Sequence, residues 1–295
     1  MNEHKTYRAV THGNFQLDLP EFNWGVSVSV DTFAFEDKQP YRVYWQTEPP
    51  EIIDNQEKLI RNHGFYDLIL TWDQRVLSEC KNARLFHPGA VWAQEPDTSQ
   101  KKFQVSFLTS SKNSCYGHKF RHDTFNVLPA SIEEAIKFRG GGNADQAIGE
   151  YPFLRNLPIT KHMSPPYLPN KRDLLVPFQY TIVMENAQHN NFFTEKILDA
   201  FATKTLPLYW GSPNIGDFFN PKGILAWAGI PNLFDRLNNL QPGYYESLTD
   251  VIEENYQLAI KYADRTGNIA KAIIDSWTPK FEKIHGGQPN VPPAD

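Results

Sequence analysis

The stretch that decides the fold runs from Tyr180 to Asn214 and reads YTIVMENAQHNNFFTEKILDAFATKTLPLYWGSPN. It opens with the apolar run Tyr180–Met184, whose β-branched and aromatic residues predict a buried strand. After a polar loop, apolar residues recur at helical spacing from Thr194 onward, and a second apolar strand is predicted at Leu206–Trp210. Strand, helix and strand form a βαβ unit, and open α/β sheets bind their ligands at the strand ends.

The start of this predicted helix, Thr194-Glu195-Lys196, is a candidate phosphate site. A helix N-terminus presents free N–H groups and the positive end of the helix dipole, both of which attract a phosphate. Lys196 opposes that dipole, and a bound diphosphate would resolve the conflict. A solvated lysine on an ordinary helix is the alternative, and the local pattern leaves both open.

The rest of the chain alternates between strand and helix patterns, which is typical of α/β proteins. Further strands are predicted at Val26–Val30, Tyr41–Trp45, Tyr66–Trp72, Ala83–Phe86 and Phe103–Thr109. Further helices are predicted at residues 54–63, 73–80, 117–128, 244–263 and 269–277. The polar stretch Ala93–Lys102 is read as a linker. We therefore predict two Rossmann-like domains, 1–98 and 99–280, facing each other across a cleft, with a loosely held tail at 281–295.

Composition excludes several classes of protein. The chain has 295 residues and a formal net charge of −5, which argues against a general nucleic-acid or anionic-membrane binder but leaves room for a local basic pocket. Its two cysteines, Cys80 and Cys115, lie outside any CxxC motif, which favours free thiols and leaves one disulfide open. The first residues lack the apolar core of a signal peptide, and no run reaches the ~18 apolar residues of a membrane span. We expect a cytoplasmic protein, with loose membrane association left open.

Residues 184–221, MENAQHNNFFTEKILDAFATKTLPLYWGSPNIGDFFNP, strongly resemble the donor-binding motif of the α-1,3/4-fucosyltransferases, glycosyltransferase family 10. The matching elements are the pair Glu185-Asn186, the tetrad Thr194-Glu195-Lys196-Ile197 and the run Pro207 to Pro213. Weaker similarity extends to residues 41–48, 103–128 and 140–149. The chain resembles bacterial or viral members most.

This resemblance implies a GT-B fold, with an N-terminal acceptor domain and a C-terminal nucleotide-sugar domain. It implies an inverting transfer of L-fucose from GDP-β-L-fucose to a hydroxyl of a glycan, in α-1,3 or α-1,4 linkage. The acceptor would be an oligosaccharide, a lipopolysaccharide or another glycoconjugate. Two alternatives remain: a transferase of the same fold that uses another GDP-sugar, and a non-catalytic glycan- or nucleotide-binding protein.

The resemblance also implies roles for individual residues. Lys196 and Arg121 match positions that bind the diphosphate, and Glu195 matches one at the ribose or sugar. Phe192 stands where the bacterial enzymes have a tyrosine that touches the nucleotide. The complete set of implied donor-binding residues is Arg121, Gly141, Glu185, Asn186, Phe192, Thr194, Glu195 and Lys196. For Arg121 the alternative is a surface arginine, and for Gly141 a flexible turn.

The implied catalytic base is Glu48, at the end of YRVYWQTE. Inverting transfer needs one base for the acceptor hydroxyl and positive charge on the departing diphosphate. Lys196, Arg121 and the helix N-terminus could supply that charge without a metal, so no cofactor is required and stimulation by a divalent metal is left open. The chain has no DxD motif, and its C-x2-H-x3-H pattern (Cys115, His118, His122) lacks a local fourth ligand, so we predict no metal site.

Overall fold

The computed structural model describes residues 6–13, 16–93, 100–109, 112–128, 136–138 and 171–285. The chain divides into two compact units. The first consists of Met1–Pro88 together with Asp264–Asp295, and the second of Gly89–Ala263. Each unit is built on a five-stranded sheet whose strands pair in parallel. The predicted α/β class is therefore confirmed in both units.

The first unit has its strands in chain order across the sheet. They are β1 (Val10–His12), β2 (Val26–Val30), β3 (Tyr41–Trp45), β4 (Leu68–Thr71) and β5 (Ala83–Leu85). Its helices are α1 (Gln56–Arg61), α2 (Gln74–Glu79) and the last helix of the chain, α7 (Arg265–His285), with a 3₁₀ turn at His63–Phe65. The predicted strands β2 and β3 have the predicted ends, whereas β1 was not predicted.

The last helix packs on one face of this sheet. Alternate residues of β2 separate onto the two faces, so Val26 and Val28 enter a cluster that also holds Ile273 and Trp277 of α7. The Trp277 ring stacks on Trp24, with centroids 4.9 Å apart. The compact units thus differ from the predicted domains, which placed residues 269–277 with the C-terminal domain, because the apolar stripe of α7 covers the first sheet.

The second unit has the sheet order β10-β9-β8-β6-β7. Its strands are β6 (Lys102–Thr109), β7 (Ile136–Phe138), β8 (Phe178–Met184), β9 (Leu206–Trp210) and β10 (Leu225–Ala226). Its helices are α3 (Tyr116–Val127), α4 (Glu195–Ala202), α5 (Ile230–Asn238) and α6 (Thr249–Ala259). Short 3₁₀ turns lie at Lys171–Leu174, Ile215–Asp217, Pro221–Gly223, Glu246–Leu248 and Ile260–Tyr262.

This order contains a topological switch point. The chain leaves β6 through α3 to reach β7 on one side, and β8 then pairs with β6 on its other side. The direction of winding therefore reverses between β6 and β8, where open α/β sheets have a crevice for ligands beyond the carboxyl ends of the strands. Helices α3 and α4 follow these two strands, so both helix starts lie at this edge.

Several predictions fall partly or wholly outside the described residues. The glycines 140–142 lie there, and so does the predicted tail beyond His285, although α7 includes its first residues. Cys80 and Cys115 are buried free thiols in different units, as the preferred reading predicted. Across the described ranges, every helix is too short or too polar to cross a lipid bilayer.

Candidate functional site

A buried carboxylate ties the end of β8 to the start of α4. Glu185 follows the last residue of β8 and is fully buried. Its carboxylate accepts the backbone N–H of Thr194 at 2.9 Å and the Thr194 hydroxyl at 2.6 Å. Burying a carboxylate is costly unless its oxygens are paired, and here both oxygens have a donor. Two hydrogen bonds therefore join Glu185 and Thr194 of the motif, and they hold the end of β8 against the start of α4.

Thr194 begins the helix as its N-cap, and Lys196 lies over the first turn. The Thr194 side chain accepts the N–H of Lys196 at 3.5 Å and the Lys196 ammonium at 2.9 Å. The same ammonium lies 3.4 Å from a Glu195 oxygen and 3.5 Å from Glu185 Oε2. The lysine that opposes the helix dipole is thus held by two carboxylates and a hydroxyl.

The charges at this helix start reinforce one another. Burial opposes ionisation of Glu195, but Lys196 and Lys171 outweigh it and lower the pKa of that carboxyl to about 2. Burial likewise opposes the charged form of Lys196, yet Glu195 and Glu185 raise the pKa of its ammonium. Both residues are therefore ionised at neutral pH, and both keep partial solvent access.

Arg121 brings α3 to the end of β8. Its guanidinium is buried and donates to the carbonyl of Met184 at 2.8 Å and to Asn186 Oδ1 at 3.4 Å. Burial lowers the pKa of Arg121, which Glu185 partly opposes, but an arginine remains charged in any protein environment. The alternative of a surface arginine is wrong, because the side chain lies under the polar loop of the motif.

Two glycines allow the backbones at this edge to approach closely. A Cβ on Gly117, in the first turn of α3, would lie 2.3 Å from the carbonyl oxygen of Asn186. A Cβ on Gly211, just beyond β9, would lie 2.3 Å from the Tyr209 hydroxyl and 2.7 Å from the side chain of Glu185. A larger residue at Gly117 would displace the backbone of Asn186, and one at Gly211 would displace the side chains of Tyr209 and Glu185. The sequence reading gave Gly117 no role, although a glycine in a helical first turn is itself a signal of close approach.

Asp199 and Lys171 belong to the same cluster and were missed by the sequence reading. Asp199, on α4, is fully buried and accepts the backbone N–H groups of Trp92 at 2.6 Å and Ala93 at 2.9 Å. The Lys171 ammonium lies 2.6 Å from Asp199 and 3.9 Å from Glu195. The available signal was an aspartate among the apolar residues of α4.

A buried histidine, His118, precedes Arg121 by one turn of α3. His118 is buried and lies 3.1 Å from the Ser114 hydroxyl. Burial, followed by the charges of Arg121 and Lys196, lowers the pKa of His118 to about 3. The ring is therefore neutral at physiological pH.

The structure separates the predicted site residues into groups. Asn186, Glu195 and Lys196 reach solvent, with Arg121 directly behind Asn186. Phe192 is fully buried, so the structure gives its ring no surface for a nucleotide, and Glu185 is likewise enclosed by Thr194. Gly141 lies outside the described residues. In the part of the chain that the structure describes, no group of three or more His, Cys, Asp or Glu is placed to hold a metal ion.

Glu48 lies in the first unit, beyond the carboxyl end of β3, and is partly exposed. Its backbone N–H donates to Asp31 at 3.2 Å, and Asp31 directly follows the neighbouring strand β2. Two carboxyl groups therefore stand at adjacent strand ends of this unit. The sequence reading named Glu48 and did not name Asp31.

Comparison with known proteins gives one curated relative. The α-(1,3)-fucosyltransferase FucT of Helicobacter pylori is 31% identical over 157 residues, which are 52% of this chain and 28% of the relative. The chain thus matches well under a third of that relative's length. No family model matches the chain.

Solved structures are similar over most of the chain. An α1,3-fucosyltransferase solved with GDP-fucose has 17% identity and a TM-score of 0.48, over 84% of this chain and 77% of that one. The GtfA/B complex has 12% identity and a TM-score of 0.51, over 89% of this chain and 58% of that one. The two parallel α/β units and the likeness to the GtfA/B complex define a GT-B fold. Over about half of its length, the chain is similar to an α-(1,3)-fucosyltransferase, which is the family that its motif resembles.

Proposed function

We propose that the chain transfers L-fucose from GDP-β-L-fucose to a hydroxyl of a glycan acceptor, with inversion at the anomeric carbon and formation of an α-1,3 or α-1,4 linkage. The observation that carries this proposal is the pair of cations, Lys196 and Arg121, at the switch point of the second sheet and beside the start of α4. The name of the Helicobacter pylori relative supports fucose as the transferred sugar.

The proposed donor site matches the chemistry of the leaving group. Negative charge develops on the diphosphate as the bond to the sugar breaks, and fixed positive groups stabilise that charge. Lys196 would bind the diphosphate at the positive end of the α4 dipole, and the buried Arg121 behind Asn186 would add a second fixed positive charge. Glu195 and Asn186 would accept or donate hydrogen bonds to sugar hydroxyls, since both reach solvent beside these cations.

The proposed base is Glu48. Its carboxylate would take the proton from the acceptor hydroxyl as the acceptor oxygen bonds to the anomeric carbon, while the bond to the diphosphate breaks and GDP leaves. The proposed roles divide between the units: the second binds the nucleotide-sugar and the first supplies the base. The acceptor class that we propose is an oligosaccharide, a lipopolysaccharide or another glycoconjugate.

The test of the donor is GDP release by the purified chain from a panel of GDP-sugars with mixed oligosaccharide acceptors. We expect turnover with GDP-fucose. Turnover with a different GDP-sugar alone would change the donor, and GDP binding without turnover on any donor would favour a non-catalytic binding protein.

The test of the base is Glu48→Gln, with Glu51→Gln as the matched control, because Glu51 follows in the same segment. We expect the first variant to bind GDP normally and to lose transfer, and the control to keep transfer. Normal turnover by Glu48→Gln would remove Glu48 from the proposal and leave the donor site untouched.

A further inference from the structure

Asp31 holds the segment that carries Glu48. One carboxylate oxygen of Asp31 accepts the N–H of Thr47 at 2.8 Å. The other accepts the N–H of Glu48 at 3.2 Å and also the Thr47 hydroxyl. One side chain thus accepts three hydrogen bonds from two consecutive residues. A charged acceptor makes such bonds stronger than a neutral one would.

The backbone of Asp31 is itself held in a rare conformation. Its φ is +50°, in the left-handed region that most residues with a side chain avoid. Its carbonyl accepts the side-chain amide of Asn55 at 2.7 Å, and Asn55 also donates to the Tyr44 hydroxyl at 3.1 Å. Its N–H donates to the carbonyl of Trp45 at 3.0 Å. These backbone contacts fix the position from which the Asp31 carboxylate reaches Thr47 and Glu48.

We propose that Asp31 is a positioning residue that fixes the backbone of Thr47 and Glu48 and thereby orients the Glu48 carboxylate towards the acceptor hydroxyl. This inference rests on the proposed role of Glu48 as the base. A base must lie within hydrogen-bond distance of the proton that it removes. The residue that holds the backbone of the base therefore affects the rate of transfer.

The cost of the arrangement supports a role in the reaction. Burial, with a further contribution from the Glu48 charge, outweighs the hydrogen bonds from Thr47 and raises the pKa of Asp31 to about 6. If Asp31 served only to close a turn, the repulsion between its carboxylate and that of Glu48 would be a cost without a benefit. Here the chain keeps the two together at adjacent strand ends.

The experiment is steady-state kinetics of Asp31→Asn with GDP-fucose and an oligosaccharide acceptor. Asparagine adopts the left-handed region as readily as aspartate, so this change keeps the backbone, removes the charge and replaces one acceptor oxygen by an NH2 donor. We expect kcat to fall on the order of 10- to 100-fold, because small misplacements of a reacting group have effects of that size. KM for GDP-fucose and the affinity for GDP should stay unchanged, since neither contact involves Asp31.

The matched control is Asp37→Asn. Asp37 lies in the same connection between β2 and β3, accepts the N–H of Gln39 at 2.7 Å and pairs with His12 at 2.6 Å. The Asp37→Asn variant therefore loses a similar set of contacts at a place away from Glu48, and its kcat should equal that of the parent chain. Thr47→Val removes only the hydroxyl donor and should lower kcat less than Asp31→Asn does. If Asp31→Asn does not fold, Thr47→Val replaces it in this experiment.

An Asp31→Asn variant with the parent kcat, alongside an inactive Glu48→Gln, would overturn this inference and leave the proposed function intact. A fall in kcat accompanied by an equal loss of GDP affinity, or matched by Asp37→Asn, would reduce Asp31 to a structural residue and also overturn it. Full activity of Glu48→Gln would instead refute the base role itself, whatever Asp31 does.

Discussion

Replacing Lys196 with methionine tests the charge cluster at the start of α4. Methionine keeps most of the length and removes the ammonium, which lies 2.9 Å from Thr194 Oγ1, 3.4 Å from Glu195 and 3.5 Å from Glu185. The substitution should weaken GDP binding and destabilise the fold. The two effects arise from different contacts of one side chain, so they can be measured separately.

The stability effect follows from the pKa of Glu195. That pKa is lowered from 4.5 to about 2 against the opposing effect of burial, and Lys196 is the larger of the two lysine contributions. At about 1.4 kcal/mol per pKa unit, the ionised carboxylate contributes about 3 kcal/mol to folding. A folded pKa below the unfolded one stabilises above pH 4.5, and this contribution disappears as the pH falls from 4.5 to about 2. Because Lys171 remains, we expect Lys196→Met to lose about 2 kcal/mol at pH 7.

The binding effect follows from the loss of a charge-assisted contact to phosphate. Such a contact contributes about 1.5 to 3 kcal/mol, so the affinity for GDP should fall by about 10- to 100-fold. Titration calorimetry measures the affinity, and urea unfolding between pH 7 and pH 2 measures the stability.

Lys204→Met is the control for both measurements. Lys204 follows the same helix and pairs with Glu253 at 2.7 Å on the surface, where ion pairs contribute about 1 kcal/mol or less. The control should bind GDP as the parent does. An unchanged GDP affinity in Lys196→Met, or a stability loss that stays constant from pH 7 to pH 2, would refute the reasoning.

Two further substitutions test the packing of this edge. Gly117→Ala would place a Cβ 2.3 Å from the Asn186 carbonyl oxygen, so we expect a loss of about 1 to 3 kcal/mol in urea unfolding together with weaker GDP binding. Gly229→Ala, where no atom lies within 4 Å, is its control, and equal effects of the two would contradict the close approach. Asp199→Asn removes the charge that pairs with Lys171 at 2.6 Å and should lower the unfolding free energy by about 3 kcal/mol. The exposed Asp235→Asn serves as its control, and an equal midpoint for both would refute the buried pair.

Local sequence pattern was most informative where one short segment supplies its own partners. The βαβ unit was predictable because strand and helix periods alternate cleanly, and both predicted strands and the helix are present. The N-cap Thr194 was also readable, since the residue that caps a helix lies directly before it. The start of α5 was not predicted, although Pro231 in its first turn is a typical helix-start signal.

The donor motif gave the residue types of the site but not their functions within it. Glu185 and Phe192 were grouped with the donor contacts, yet the structure buries both. A sequence does not reveal whether a motif residue faces the ligand or holds a neighbour that does. That distinction depends on which other chain segments cover the side chain, and here Thr194 covers Glu185.

The sequence by itself determined the α/β class, the βαβ unit and a helix start in which a lysine opposes the dipole. These features depend on residues a few positions apart, whose periodicity and capping chemistry are fixed by backbone geometry.

Only the tertiary structure decided that α7 packs on the first sheet and that Arg121 meets Asn186, 65 positions away. It alone joined Asp199 to Trp92 and Asp31 to Thr47. Such contacts require complementary surfaces from distant segments of the chain. The spacing of apolar residues indicates that one face of an element is buried, but it does not indicate which other element covers that face.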